Sequence, residues 1–283
     1  MNAIDIHIHM QPREMMSPRA IEFIESGRKD AEIVKKCLDS PKALAEHLDK
    51  EEIAKVGVIN YVAPEIMGFT SGVNKWASEY KSGAPERIIS FGGIHPPSCK
   101  NVKDEMRIIF EDCQLDALKI HPPHQDMPAN AYVDGSVPDL ATVYEMCQEY
   151  SKPVLVHTGT SMFPGARSKW GRPMELDDVA IDFPDLKIIM AHGGRPLWTD
   201  EAWFVFRRHK NIYWDLSGIP PKRILEWYPR LFELGNKVMF GTDWPSPGVP
   251  SIRKNLDAIL SLPISQEDKD NLSYKSAQGV FDD

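Results

Sequence analysis

The runs Val154-Leu155-Val156-His157 and Ile189-Met190-Ala191-His192 show the pattern that decides the fold. Each is a short apolar segment that ends in a histidine, and helix-like sequence lies between them. Short buried strands that alternate with helices are typical of a parallel sheet, in which all strands end at the same edge. The two runs therefore predict neighbouring strands whose terminal histidines lie at one edge of the sheet.

The same pattern extends along the whole chain of 283 residues. The candidate strands are Ala3–His9, Val56–Ala63, Ile88–His95, Leu115–His121, Pro153–Gly159, Lys187–Gly193, Ile212–Gly218 and Val238–Asp243. Helical periodicity is clearest in Lys42–Lys55, Pro138–Tyr150, Glu201–Arg208, Arg223–Leu234, Ser251–Ser261 and Gln266–Phe281. A barrel of alternating strands and helices needs about 250 residues. We therefore expect an α/β fold, a single-domain (β/α)8 TIM barrel over residues 1–283.

Two segments are too long for simple connections between a strand and the next helix. Met10–Ser40 follows the first strand, and Thr158–Arg172 follows the fifth and contains Gly159, Gly165 and Gly171. Both begin at the carboxyl end of a strand, where parallel barrels place their active sites. We expect extended loops that cover a substrate, although a structural insertion explains the first segment equally well.

Composition limits the classes of function. The net charge is −8 and no long basic run occurs, which argues against nucleic acid or an anionic membrane as a partner. The four cysteines lack metal-ligand spacing, and no apolar run approaches the ~20 residues that cross a membrane. We expect a cytoplasmic protein with reduced thiols and a small-molecule substrate. The sequence is compatible with either a monomer or a homo-oligomer.

Potential metal ligands follow several of the predicted strands. His7 and His9 are two apart in a strand, so both side chains face the same way. His157, His192 and Asp243 end the fifth, sixth and eighth strands. Each alone fits a capping or hydrogen-bonding role, but together they indicate a divalent metal centre. Three imidazoles and a carboxylate suit Zn²⁺, and Mn²⁺ would also be accepted.

This set of motifs resembles the amidohydrolase superfamily, in the branch that contains aminocarboxymuconate-semialdehyde decarboxylase. The matching segments are Asp5–His9, His157, Ala191-His192-Gly193-Gly194-Arg195-Pro196 and Gly241-Thr242-Asp243-Trp244-Pro245. The resemblance implies that His7, His9, His157 and Asp243 bind the metal. It also implies that His192 assists water activation or substrate protonation, whereas in binuclear branches it would bind a second metal. Tyr274–Gln278 departs from the Asn-Ala-containing segment that is common in the family.

Four further residues are candidates for substrate binding. Lys119 and His121 alternate with apolar residues in the fourth strand, and Arg172 and Arg195 can bind a carboxylate through the guanidinium fork. Lys119 has three interpretations: it contacts a substrate carboxylate, it forms an ion pair inside the barrel, or it is a carboxylated bridge between two metals, as in some amidohydrolases.

The leading expectation is a hydrolase that acts on a small carboxylated or cyclic substrate, such as a lactone or amide. A bound divalent metal lowers the pKa of water from about 15.7 to about 7, and Asp243 would accept the proton. The alternative is a non-oxidative decarboxylase of an aromatic or muconate-like acid on the same ligands. A barrel that binds a ligand without catalysis is a third interpretation, which the intact ligand set argues against.

Overall fold

The computed structural model describes residues 2–25, 30–249 and 251–282, and its centre is one sheet of eight parallel strands. Each strand pairs with the next in chain order. The strands are β1 (Ile4–Ile8), β2 (Lys55–Val58), β3 (Ile88–Gly93), β4 (Ala117–Ile120), β5 (Val154–His157), β6 (Ile188–Ala191), β7 (Ile212–Asp215) and β8 (Val238–Met239).

Backbone hydrogen bonds join the first strand to the last and close the barrel. The amide of Ile6 donates to the carbonyl of Phe240 at 3.0 Å, and that of Asp243 donates to the carbonyl of His7 at 2.8 Å. The predicted (β/α)8 barrel and all eight strands are thereby confirmed. The observed strands are shorter than predicted because their polar carboxyl ends leave the sheet and face the mouth of the barrel.

Helices surround the barrel and connect its strands. Their bounds are α1 (Pro18–Glu25), α2 (Ala31–Asp39), α3 (Pro41–Lys50), α4 (Gly72–Ser82), α5 (Val102–Arg107), α6 (Pro122–Gln125), α7 (Asp139–Glu149), α8 (Glu175–Asp182), α9 (Thr199–Arg208), α10 (Ile224–Trp227), α11 (Ile252–Leu260), α12 (Gln266–Asp270) and α13 (Ser276–Phe281). None of the described helices is long and apolar enough to cross a membrane.

The expectation of an extended loop over Met10–Ser40 needs correction, because most of this segment is helical. Helices α1 and α2 lie within it, while residues 26–29 are outside the described part of the chain. On α2, the buried Val34 and Cys37 are three residues apart and share one helix face. The segment after β5 is irregular, as predicted, apart from a short turn of 3₁₀ helix at Ser168–Trp170.

The barrel is packed on both faces of its sheet. Val154, Leu155 and Val156 of β5 are all almost fully buried, on alternating sides of the strand. Such two-sided burial is typical of parallel strands covered by helices. A rigid, dry scaffold of this kind holds the side chains at the strand ends in fixed positions.

Candidate metal centre

A cavity of about 580 Å³ opens at the carboxyl ends of the strands. Every predicted site residue except Arg172 lines it: His7, His9, Lys119, His121, His157, His192, Arg195 and Asp243. The barrel therefore brings together side chains that are far apart in sequence, at the edge where such folds place their active sites.

His7 is oriented by two polar partners from the end of β7. Its Nδ1 lies 2.6 Å from Asp215 Oδ2 and 3.0 Å from Ser217 Oγ. When Nδ1 carries the proton and donates it to Asp215, the lone pair of Nε2 is free to bind a metal. Nε2 is buried and has no hydrogen-bond partner among the described residues. Carboxylates commonly hold metal-binding histidines in this way.

Asp215 is a functional residue that sequence reasoning missed. Asp215 is the last residue of β7, just as His157 is the last residue of β5 and His192 directly follows β6. The same pattern of polar residues at strand ends could therefore have identified it. Asp215 is completely buried and accepts hydrogen bonds from the backbone and hydroxyl of Ser217. It thus acts on the site through His7.

His192 is fixed by the same short segment. Its Nδ1 donates to the carbonyl oxygen of Ser217 at 2.8 Å, which leaves Nε2 available on the other side of the ring. His192 and Asp243 have φ angles of +67° and +70°, in the left-handed region that non-glycine residues rarely adopt. Such backbone conformations are concentrated at functional sites, where the surrounding structure maintains them.

The donor atoms at this end of the barrel fit a divalent metal. Ligand atoms of His7, His192 and Asp243 all lie within 4.8 Å of one another. His9 Nε2 is 2.8 Å from Asp243 Oδ1, which places a further imidazole at the same carboxylate. The Nε2 atom of His157 is buried and has no hydrogen-bond partner in the described part of the chain. Imidazole and carboxylate donors are the ligands that such ions take in proteins.

His192 lies next to two of the candidate ligands. Its ring centroid is 5.0 Å from that of His7 and 4.6 Å from that of His157. The predicted ligands His7, His9, His157 and Asp243 all line the same cavity, and their assignment stays a prediction. This proximity makes His192 a candidate ligand in addition to its predicted role in proton transfer.

The electrostatics of the site favour ligand binding by neutral imidazoles. Burial lowers the pKa values of His7, His157 and His192 well below the usual value for histidine. Burial alone would raise the pKa of Asp243, but the hydrogen bond with His9 and nearby positive charges lower it overall. The site therefore combines an ionised carboxylate with uncharged imidazoles at His7, His157 and His192, which is the protonation state that metal binding needs.

Lys119 is a buried lysine whose side chain points into the cavity. The residue is 1% exposed, and its Nζ has no hydrogen-bond partner among the described residues. Burial lowers the pKa of Lys119, while the charges of Asp215 and Asp243 act in the opposite direction. No direct ion pair inside the barrel is seen for it within the described ranges, which disfavours that interpretation. With a pKa of about 7, the Lys119 amine is suited to an anionic ligand, because a carboxylate beside it would favour the protonated form.

The two predicted arginines have different positions. Arg195 is held at the cavity wall because its Nε donates to Gly218 O at 2.6 Å, and its Nη2 lies 4.0 Å from Asp243 Oδ2. The side chain of Arg172 is 52% exposed, lies outside the cavity and pairs with Glu201. The structure therefore does not support the prediction that Arg172 binds substrate.

A stack of imidazoles forms another side of the cavity. The ring of His121 lies between those of His157 and His124, with centroid separations of 4.0 and 3.6 Å. His124 contacts Tyr61 Oη through Nδ1 at 2.9 Å and Ser161 Oγ through Nε2 at 2.8 Å. Neither His124 nor Tyr61 was predicted for the site. The sequence did contain an indication for His124, because it lies three residues after His121 at the carboxyl end of β4.

The fold and the donor atoms at its strand ends define a parallel (β/α)8 barrel with a candidate metal centre. The amidohydrolase family profile matches residues 4–282, and the chain belongs to that family. The resemblance inferred from the sequence motifs is thereby confirmed. No curated protein sequence matches the chain.

Solved structures share this fold over the whole chain. A 2,6-dihydroxybenzoate decarboxylase from Rhizobium is 14% identical with a TM-score of 0.73, covering 100% of this chain and 99% of that one. A manganese-bound dihydroxybenzoic acid decarboxylase from Polaromonas sp. JS666 is 17% identical with a TM-score of 0.69, at coverages of 100% and 97%. A 4-oxalomesaconate hydratase from Rhodopseudomonas palustris is 17% identical with a TM-score of 0.66, at coverages of 99% and 95%.

Proposed function

We propose that this amidohydrolase-family enzyme is a divalent-metal-dependent, non-oxidative decarboxylase of an aromatic or muconate-like acid. The observation that carries the proposal is the buried side-chain nitrogen of Lys119, which has no hydrogen-bond partner among the described residues and lies in the same cavity as the metal donors. The decarboxylases among the similar structures support this reaction over the hydrolysis that the sequence analysis placed first. Those similarities establish the fold, and the reaction is our inference.

His7, His9, His157 and Asp243 would hold the metal in this proposal. Zn²⁺ suits these ligands, and Mn²⁺ is an equally good candidate because the similar Polaromonas decarboxylase contains it. A bound divalent ion would supply Lewis acidity that polarises the oxygens of the substrate. Asp215 and Ser217 keep His7 in the required orientation.

Lys119 and Arg195 would orient the substrate through its carboxylate. Both side chains line the cavity: Arg195 is cationic, and a substrate carboxylate would favour the protonated form of Lys119. Burial strengthens such charge interactions by excluding water. Once the bond between the carbon and the carboxylate breaks, CO₂ leaves and the electron pair stays on the carbon. Nε2 of His192 would accept a proton from a substrate hydroxyl or from water and return it to that carbon.

Hydrolysis is the second candidate function, because Asp243 lies in the cavity beside the other candidate metal ligands, where it could face a metal-bound water. The pKa of Asp243 lies below its usual value, so its carboxylate is ionised and could accept a proton from an attacking water. A lactone or amide with a carboxylate group would use Lys119 and Arg195 in the same way. The two functions are therefore distinguished by their products and not by their binding residues.

The test is a CO₂-release assay on protein reconstituted with Mn²⁺ or Zn²⁺, across hydroxylated benzoic acids and muconate-like acids. A parallel panel of lactones and amides reports hydrolysis. We expect CO₂ release from at least one acid, and a loss of that activity in Lys119→Met that is larger in KM than in kcat. Hydrolysis of a lactone or amide without CO₂ release from any acid would overturn the proposal in favour of the second function.

A further inference from the structure

The cavity continues outward from the polar strand ends into an apolar region. We call this region the outer wall and define it by Phe23, Ile24, Val34, Leu38, Phe163 and Trp227, all of which line the cavity. Among the described lining residues, the charged groups and imidazoles are confined to the strand ends and the turns that follow them. The cavity therefore has two chemically different parts.

Helix α2 presents one of its faces to this cavity. Val34 and Leu38 are four residues apart, so they lie on the same side of the helix, and both line the cavity. Ile33, on the same helix, does not line the cavity and is 46% exposed. Leu38 is half-buried although it is apolar. Part of its surface is thus available to a ligand in the cavity.

The outer wall joins segments from opposite sides of the barrel. Phe23 of α1 belongs to the insertion after β1, whereas Phe163 lies in the segment after β5. Their rings contact each other with centroids 4.5 Å apart. Trp227, from the connection after β7, contributes a third aromatic side chain. These connections cover the mouth with apolar groups that carry no polar function of their own.

The cavity is larger than one carboxylated ring requires. An apolar cavity of about 150 Å³ accommodates a benzene ring, and the volume here is about 580 Å³. A single ring held at Lys119 and the metal donors would leave most of the outer wall in contact with water. Exposed apolar surface inside a binding cavity favours a ligand that covers it.

We propose that the substrate carries an apolar substituent, such as an alkyl chain, on its carboxylated ring, and that the outer wall binds this substituent. The inference rests on the proposed function for the position of the carboxylated head. It adds that Phe23, Ile24, Val34 and Leu38 determine which carboxylated rings are bound tightly. The polar strand ends bind the reacting group, and the outer wall selects for the apolar part.

The test measures Kd by calorimetry for benzoate and its 4-ethyl, 4-butyl and 4-hexyl derivatives with Mn²⁺-loaded protein. Burial of one methylene is worth a factor of about four in Kd. We expect Kd to fall about fourfold for each methylene until the chain fills the cavity. A Kd that does not change with chain length would overturn the proposal.

Variants locate the effect on the outer wall. Leu38→Asp should remove most of the dependence on chain length, because a charged side chain would replace part of the apolar surface that the alkyl chain covers. Ile33→Asp places the same charge on the exposed face of the same helix and should retain the full dependence. Phe23→Asp repeats the test from α1, in case Leu38→Asp does not fold by circular dichroism. Full dependence on chain length in a folded Leu38→Asp or Phe23→Asp would contradict the proposal.

Neutral ligands separate this inference from the proposed function. A series of 4-alkylphenols lacks the carboxylate but can still place its chain against the outer wall. Chain-length dependence in both series, with tighter binding of the carboxylates, supports both proposals. The same dependence without any preference for the carboxylates would support the outer wall and count against Lys119 and Arg195 as the carboxylate site.

Discussion

The strand ends and the outer wall of the cavity are held in place by different forces. At the strand ends, Asp215, Ser217 and the backbone fix His7 and His192 through hydrogen bonds of 2.6–3.0 Å. In the outer wall, half-buried apolar side chains are held by contacts such as that between Phe23 and Phe163. Chemistry needs atoms in fixed positions, whereas recognition of an apolar group tolerates variation in shape. We therefore expect substitutions at the strand ends to affect the reaction and those in the outer wall to affect substrate choice.

The largest expected effects at the strand ends are those of Asp243→Asn and His192→Asn. Asp243→Asn should abolish turnover and weaken metal binding, because it removes the charge of a proposed ligand beside His9. His192→Asn should leave the metal mostly in place and lower the rate by ~100-fold or more, the usual range for loss of a general acid or base. Metal content by elemental analysis and turnover are measured on the same preparations.

These two variants also decide the role of His192. Ligand atoms of His192, His7 and Asp243 lie within 4.8 Å of one another, so coordination by His192 is geometrically accessible. Loss of metal from His192→Asn to the same extent as from Asp243→Asn would make His192 a ligand. Unchanged metal content and unchanged rate would remove it from the catalytic machinery. The double variant His7→Ala/His9→Ala should lose the metal and provides the reference for an empty site.

Asp215→Asn should have the next largest effect, and it acts through His7. An amide in place of the carboxylate no longer favours the proton on Nδ1 of His7, so the lone pair at Nε2 becomes less available. Changes at such supporting residues typically reduce metal affinity by about 10–100-fold. Competition with a metal chelator measures the affinity, and Asp112→Asn, an exposed carboxylate far from the cavity, is the control. Native metal affinity in Asp215→Asn would refute this role.

Gly241→Ala should have a smaller effect that combines stability and metal binding. A Cβ atom at this position would collide with the carboxylate of Asp215 and come within 3.1 Å of the Cβ of His7. We expect a loss of about 1–3 kcal/mol in the free energy of unfolding, together with weaker metal binding. Gly279→Ala is the matched control, because a Cβ there meets nothing within 4 Å and a helical alanine is favourable. Equal stability of the two variants in denaturant would show that the β8 end can adjust.

Much of the barrel and its donor atoms could be predicted because both depend on local patterns. Apolar runs identified every strand, and alternation placed His7 and His9 on one side of β1. The alternation of residues shows on which side of a strand a side chain lies, but it does not give the distances between strand ends. The proximity of His192 to His7 and Asp243 therefore could not be predicted. Nor could it show that Lys119 Nζ has no hydrogen-bond partner in the described part of the chain, because that depends on where carboxylates from other strands lie.

The helices of the insertion after β1 were harder to predict for a different reason. Helices α1 and α2 have 8 and 9 residues, which is too short to fold without tertiary contacts. Their apolar residues identify a buried helix face only when the element that packs against it is known. Part of the apolar face of these helices lines the cavity, and no pattern in the sequence predicts where a cavity lies. Sequence reasoning therefore succeeded for residues in the repeated strand–helix units of the barrel. It failed for residues whose neighbours come from insertions that are distant in sequence.

The smallest expected effect is that of Arg172→Gln, compared with Arg195→Gln. Arg172 ends the segment after β5 and pairs with Glu201 at the surface, where an ion pair contributes about 0–1 kcal/mol. Its removal should leave turnover and KM within about twofold of native values. Arg195→Gln removes a guanidinium from the cavity wall, 4.0 Å from Asp243, and should raise KM for a carboxylated substrate by tenfold or more, on the order of a lost charged hydrogen bond. Steady-state kinetics on both variants make the comparison. An increase in KM for Arg172→Gln that equals that for Arg195→Gln would show that Arg172 reaches the substrate when the segment after β5 moves. The boundary of the cavity would then lie further out than the structure places it.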